Sequence, residues 1–227
     1  MQRYILLLAM FAISIGSVLA ENADIGDVQA FKQALEQDGF TVQQGRVGYL
    51  DLIKLYDTGV LPSAYGNNPT TKYLTYFVPP APGGTVPELF SRITKALGMD
   101  QGTSAFWTLG PDEAVVFVGR TPPECRYFSF DHYLLSRTYG NETRWIFANL
   151  ADTVNNLVIR TEGTPNAAAG NPFNQTTVIV ATADRGIDQR IQAAALSAGY
   201  SSEIFNTQVF PSSLLNKIGR ASCRERV

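Results

Sequence analysis

The sequence predicts an α+β fold with a mixed or mostly antiparallel sheet of about six or seven strands and three or four helices. Three observations carry this. Over 227 residues, 45% are hydrophobic and 17% charged, enough apolar content for a substantial core. Amphipathic segments that stop at glycine alternate with short runs of β-forming residues. Several of those runs are separated by turns too short for the crossover that a parallel pair needs.

The elements follow in chain order. Residues 27–38 place Val28, Phe31, Ala34 and Leu35 on one helical face, with Asp24 or Asp27 as N-cap and Gly39 as the stop. Phe40 to Val42 reads as a brief strand, and Tyr49 to Tyr56 as a short helix ended by Gly59. Residues 61–72, with Pro62, Gly66, Asn67, Asn68 and Pro69, form a loop before a strand from Tyr73 to Val78. Thr85, Pro87 and Glu88 make a capping box for a helix whose core face is Leu89, Phe90, Ile93, Ala96 and Leu97 and whose stop is Gly98.

Ala114 to Gly119 is an unbroken apolar run, the pattern of a strand buried on both faces, and Arg126 to Leu134 is the next strand. Trp145 to Ala148 and Leu157 to Thr161 are weaker strands around a helical turn near Leu150 to Asn156. Residues 162–175 shift to Gly, Pro, Ala, Asn and Thr and mark a loop or linker. Residues 176–217 then complete the same domain as residues 21–161: a strand at Thr176 to Thr182, a helix with Ile187, Ile191, Ala194, Ala195 and Ala198 inward and Gly199 as stop, and a last strand from Glu203 to Phe210.

Both ends stand apart from this body. Residues 1–20 have the basic start (Arg3), the apolar run and the small residue at Ala20 of a secretory signal peptide, so the mature chain is expected to begin at Glu21 and to be secreted or periplasmic. The apolar run is too short to span a bilayer, and no membrane is expected for the mature form. Residues 218–227 resemble the translation of a common sequencing-library adapter. On that basis the natural protein departs from this chain near Asn216 or Lys217, and Cys223 and the three tail arginines carry no information.

Removing Arg3, Arg220, Arg224, Arg226 and Glu225 leaves 14 basic and 19 acidic residues, a net charge of −5, with no basic block to hold nucleic acid. Cys125 is then the only thiol of an exported chain. Asn141 and Asn174 open glycosylation sequons, usable only in a eukaryotic secretory pathway.

The sequence contains no G-x-S-x-G, H-E-x-x-H, phosphate-loop, G-x-G-x-x-G or C-x-x-C motif, and no metal or cofactor is expected. Candidate chemistry is therefore scattered. Cys125 beside Arg126, with the single histidine His132 and Asp131 close by, has the residue types of a nucleophile and its base. Strand alternation, however, puts His132 on the apolar face of Phe128 and Phe130, away from Cys125 and Asp131. Asp184 and Arg185 sit at a helix N-terminus, where free amides favour an anion, although Asp184 also serves as an ordinary N-cap. Tyr65, Asn67 and Asn68 in one loop, and Tyr139 and Asn141 in another, combine an aromatic face with amide groups, as glycan recognition requires. Paired acids occur at Asp112 and Glu113, with single ones at Asp152 and elsewhere. The expected function is binding of a small molecule or glycan outside the cytoplasm, by the aromatic loops together with Arg126, Asp184 and Arg185. The alternatives are a secreted hydrolase using Cys125 or a carboxylate pair, and an interaction module of the envelope or extracellular space.

Overall fold

The computed structural model describes residues 3–9, 28–65, 68, 71, 73–139, 142–150, 152–211, 214 and 219–226. The four helices among the described residues are α1 (Val28–Gln37), α2 (Leu52–Asp57), α3 (Glu88–Ala96) and α4 (Arg185–Ser197). The strands are β1 (Arg3–Ala9), β2 (Phe40–Tyr49), β3 (Tyr73–Phe77), β4 (Phe106–Thr108), β5 (Glu113–Arg120), β6 (Ser129–Tyr139), β7 (Glu142–Asn149), β8 (Val154–Asn155), β9 (Thr176–Thr182), β10 (Phe205–Val209) and β11 (Gly219–Arg226). The fold is α+β with mixed pairing. Nine strands among the described residues lie in the body of the chain, and β1 and β11 lie in its two ends. This exceeds the expected six or seven because β4 and β8 span only three and two residues, too short for any period to show.

Strand order is β10-β9-β5-β1-β2-β3-β11-β6-β7, with β4 paired to β11 and β8 to β6. β2 joins two halves. Its residues Phe40–Gly45 pair in parallel with β1, and Arg46–Tyr49 pair antiparallel with β3. The result is a layered sandwich. On the outer face of the first half, Phe31 and Leu35 of α1 and Ile187 and Ile191 of α4 pack on Ala114, Val116, Val118, Val178 and Val180. On its inner face, Val115, Phe117, Ile179 and Ala181 meet Tyr76, Trp107, Phe128 and Phe130 from the second half. A third cluster, with Leu55, Phe90 and Ile93, seats α2 and α3 on the far side of that half around Tyr73 and Leu135. β5 and β9 are thus covered on both faces, which explains their unbroken apolar runs. Each fully buried Phe or Ile contributes about 1.5–3 kcal/mol.

Several boundaries differ from expectation for identifiable reasons. β2 is ten residues rather than three, because pairing with β1 along Phe40–Gly45 overrides the weak β-propensity of Gln43, Gln44 and Gly45, and pairing with β3 carries the strand on to Tyr49. Tyr49 ends that strand, and α2 begins after Asp51, whose carboxylate accepts from Lys54 N at 2.9 Å. The capping box does not form. Pro87 is the N-cap of α3 without a side-chain cap, its carbonyl accepts from Phe90 N and Ser91 N, and the helix starts at Glu88. β6 runs from Ser129 to Tyr139 instead of 126 to 134. Residues 156–158 turn rather than extend, with Ile159 N donating to Asn155 O. The N-cap candidates Asp24 and Asp27 lie outside the described residues.

The loop at 162–175 is tied down. Thr121 Oγ1 donates to Pro172 O at 2.6 Å, and Thr164 Oγ1 to Ile159 O at 2.7 Å. Gly163 and Gly170 lie so close that a Cβ on either would strike the facing backbone, so glycine is required at both. α4 follows the expectation closely: Asp184 Oδ1 accepts from Gly186 N and Ile187 N at 2.6 and 3.0 Å. No described helix is long and apolar enough to cross a membrane.

Candidate functional site

A cleft of about 530 Å³ opens where the two halves of the sheet part, between the end of β3 at Val78 and the start of β5. Pro79 and Pro80 terminate β3, since neither can donate to a ladder. The chain from there to Pro87 forms the rim. Gly83, at φ +81°, makes the turn in this rim that an L side chain would resist. Phe90 of α3, Phe106 and Trp107 of β4, Leu109 and Val115 supply the apolar wall, and Gln43, Ser104 and Glu113 the polar groups. Two features of the wall are chemically unusual. Trp107 is buried, and its indole Nε1 has no hydrogen-bond partner among the described residues. Glu113 Oε2 accepts from Gly110 N at 2.6 Å, yet burial, with a smaller push from Asp112, raises the carboxyl above its ordinary pKa. An apolar cleft of this size with a few polar groups and a perturbed acid matches the general anatomy of small-molecule sites.

The sequence candidates fall elsewhere. No hydrogen bond joins Cys125 and His132. The Cys125 thiol lies 3.5 Å from Tyr127 O, and burial raises its pKa, opposite to what an activated nucleophile needs. His132 sits on the apolar face, as strand alternation predicts. Its ring is 5.3 Å from that of Phe210 and 6.1 Å from that of Trp107. Desolvation lowers its pKa to about 4, only partly opposed by Gln208 and Asp131. The Gln208 amide lies beside the ring outside hydrogen-bond geometry, so neither ring nitrogen has a partner among the described residues. Asp131 points the other way and holds strands together: it accepts from Ser129 Oγ at 2.7 Å, Thr153 Oγ1 at 2.6 Å and Asn149 Nδ2 at 3.2 Å.

Arg126 is exposed beside Cys125. Arg185 lines a second, polar cleft of about 670 Å³ with Asp152, Thr153, Asp188, Thr207 and Gln208. Asp188 is already engaged there, accepting from Thr207 Oγ1 at 2.8 Å and Gln192 Nε2 at 3.0 Å. Asp184 is the N-cap of α4. Tyr65 is fully exposed, and Asn68 N donates to Tyr73 Oη. Asn67 and Asn141 lie outside the described residues. Tyr139 ends β6, whereas the 61–72 loop precedes β3; because β3 and β6 both run antiparallel to β11, their starts share one end of the sheet. Tyr139, expected in a loop, is thus a strand residue, and Tyr65 and Asn68, which precede β3, lie toward the other end of that part of the sheet. Among the described residues no three His, Cys, Asp or Glu side chains converge as metal ligands would.

The cleft residues were only partly visible in the sequence. Glu113 was marked as one of a pair of acids, but its importance comes from heading an apolar strand, which forces its carboxyl into partial burial. The sequence ends a strand at Val78, but nothing local in it shows that the proline-rich chain that follows roofs a cavity. Comparison of the chain with protein-family models, with curated proteins and with solved structures gives no match.

Proposed function

We propose that the protein is an extracytoplasmic binding protein, secreted or periplasmic, that takes a small molecule or a short glycan into the cleft between β3 and β5. The observation that carries this is the pairing, in one apolar cleft, of an unpartnered indole donor at Trp107 with a partly desolvated carboxyl at Glu113. The ligand this favours has a flat apolar body, an acceptor for Trp107 Nε1 and a hydroxyl or amine donor for Glu113. The secretory character of residues 1–20 supports the location.

The test is a thermal-shift screen against aryl glycosides and small aromatic amides, followed by titration calorimetry. A true ligand at a hundredfold excess over Kd stabilises by about 2.7 kcal/mol. Trp107→Phe keeps the ring and deletes the donor, and is expected to weaken binding about tenfold, the equivalent of about 1.4 kcal/mol. A screen without any shift, or variants Trp107→Phe and Glu113→Gln that both bind as well as the parent, overturns the proposal.

One observation favours the hydrolase alternative, and it moves that reading away from Cys125. Asp152 and Asp188 both line the polar cleft beside Arg185. Loss of a glycosidase activity in Asp152→Asn and Asp188→Asn would support it; no activity in the parent would remove it.

A further inference from the structure

Two interior places in the sheet are filled by segments that the sequence sets apart from the mature body. β1 belongs to the leader-like start, and pairs in parallel on both edges: Tyr4–Ala9 with Glu113–Val118, and Arg3–Leu8 with Phe40–Gly45. β11 belongs to the adapter-like tail, and pairs with β6 along its whole length as well as with β3 and β4. With β1 removed, β5 keeps only β9 as a partner, and the first part of β2 has none among the described strands. Rows of N–H and C=O would then face each other across an empty place between two packed cores. Buried backbone groups need partners, and an unpaired edge of this kind accepts an incoming strand.

The flanking strand defines what fits. Ala114, Val116 and Val118 belong to the helix-side core, and Val115 and Phe117 to the inter-sheet core, so a strand beside them is covered on both faces. Its occupant must be apolar at successive positions for about six residues and run parallel to β5. β9, on the other side of β5, offers only the four-residue apolar run Val178–Ala181 and is already placed.

The end of β10 fixes how such a strand would arrive. Val209 pairs with Thr182, Thr182 with Ala114, and Ala114 faces position 5 in β1. The chain therefore leaves β10 at the end of the sheet where a strand parallel to β5 must begin. It is three strand spacings away, roughly 14 Å, which residues 210–217 span easily.

We propose that the place between β5 and β2 is a strand-acceptor slot, filled in the mature protein by an apolar β-strand of the chain's natural continuation beyond Lys217. This rests on the leader and tail readings of the two ends and is independent of what the cleft binds. The experiment uses the natural-length protein, with the reading frame recovered from its source DNA, expressed with its own leader. Intact mass gives the mature N-terminus. Hydrogen exchange follows the amides of 113–118 and 40–45, and a benzophenone amino acid at Val42 captures the neighbouring strand.

The expected result is a chain starting at Glu21, slot amides slowed roughly a hundredfold or more relative to exposed ones, and capture of a segment beyond residue 217. A mature mass starting at Met1 with capture of residues 3–9 refutes the leader reading and the proposal together. A stop codon directly after position 217, unprotected amides, or capture of a second copy as a cross-linked dimer each refutes the proposal while leaving the leader reading intact.

Discussion

His132 sets a pH dependence that can be worked out from its surroundings. The ring is almost fully excluded from solvent, lies against Phe210 and Trp107, and has no hydrogen-bond partner at either nitrogen among the described residues. Its pKa falls from 6.5 to about 4 in the folded protein because burial penalises the charged form. The unfolded chain therefore takes up a proton near pH 6.5, while the folded protein stays neutral until about pH 4. The unfolded state binds more protons throughout that window, so stability rises with pH across it and is lost on acidification. At about 1.4 kcal/mol per pH unit, the full loss is about 3 kcal/mol. Between pH 7 and pH 5, where ordinary carboxylates titrate little, His132 accounts for about 2 kcal/mol. Urea unfolding of the parent and of His132→Leu at the two pH values isolates this contribution. Leu fills a similar space and carries no polar atom, so it is expected to be near neutral or stabilising at pH 7 and to remove about 2 kcal/mol of the pH 7 to pH 5 difference. The reasoning fails if His132→Leu keeps the parent's pH dependence. It also fails if the variant is destabilised by more than about 3 kcal/mol at pH 7, which would mean that the ring nitrogens are bonded after all.

Three other outcomes follow from single contacts. Asp184→Ala removes the acceptor for Gly186 N and Ile187 N and is expected to cost about 1 kcal/mol in urea unfolding, with Asp184→Asn recovering most of it. Asp131→Ala leaves Ser129, Thr153 and Asn149 without their shared acceptor on a buried strand, and is expected to cost about 2–4 kcal/mol without altering ligand binding in the cleft. Cys125 should react with iodoacetamide at pH 7 more slowly than a free cysteine, because its thiol pKa is raised; faster alkylation would restore it as a nucleophile.

What the sequence revealed depended on how local each signal is. β9 and the N-cap of α4 were legible to the residue, since an apolar β-run and an Asp before an amphipathic segment are decided by neighbours along the chain. The alternation that set His132 against the apolar face and Asp131 on the other was equally local. β2 was not legible beyond Val42, because its length comes from partners on β1 and β3 that no local pattern encodes. The capping box at Thr85 failed for a related reason. The helix starts at Glu88 with Pro87 in the cap position, two residues beyond Thr85, and the pattern of the segment alone does not encode that shift. Tyr139, expected in a loop, instead closes β6, and Glu142 already opens β7, because pairing between those two strands runs to their very ends and no local pattern encodes it.

The position of the cleft follows from the same non-local event. A strand that pairs with one partner along its first half and another along its second must leave those partners diverging, and the divergence opens a crevice at their ends. β2 changes partner between Gly45 and Arg46. Val78, just after β3, and Glu113 to Val115, at the start of β5 beside β1, face each other across that crevice, and Gln43 of β2 lies between them in the lining of the cleft. Crevices at such switch points are where open sheets commonly bind ligands, because backbone polarity and apolar side chains are exposed together there. The rim prolines and Gly83 then bound a gap that the sheet itself has created. On this argument the cleft depends on the sheet remaining divided at β2, so whatever strand occupies the slot between β5 and β2 also fixes the floor on which a ligand rests. Binding in the cleft should therefore be sensitive to substitutions along the facing edges of β2 and β5 that touch no ligand.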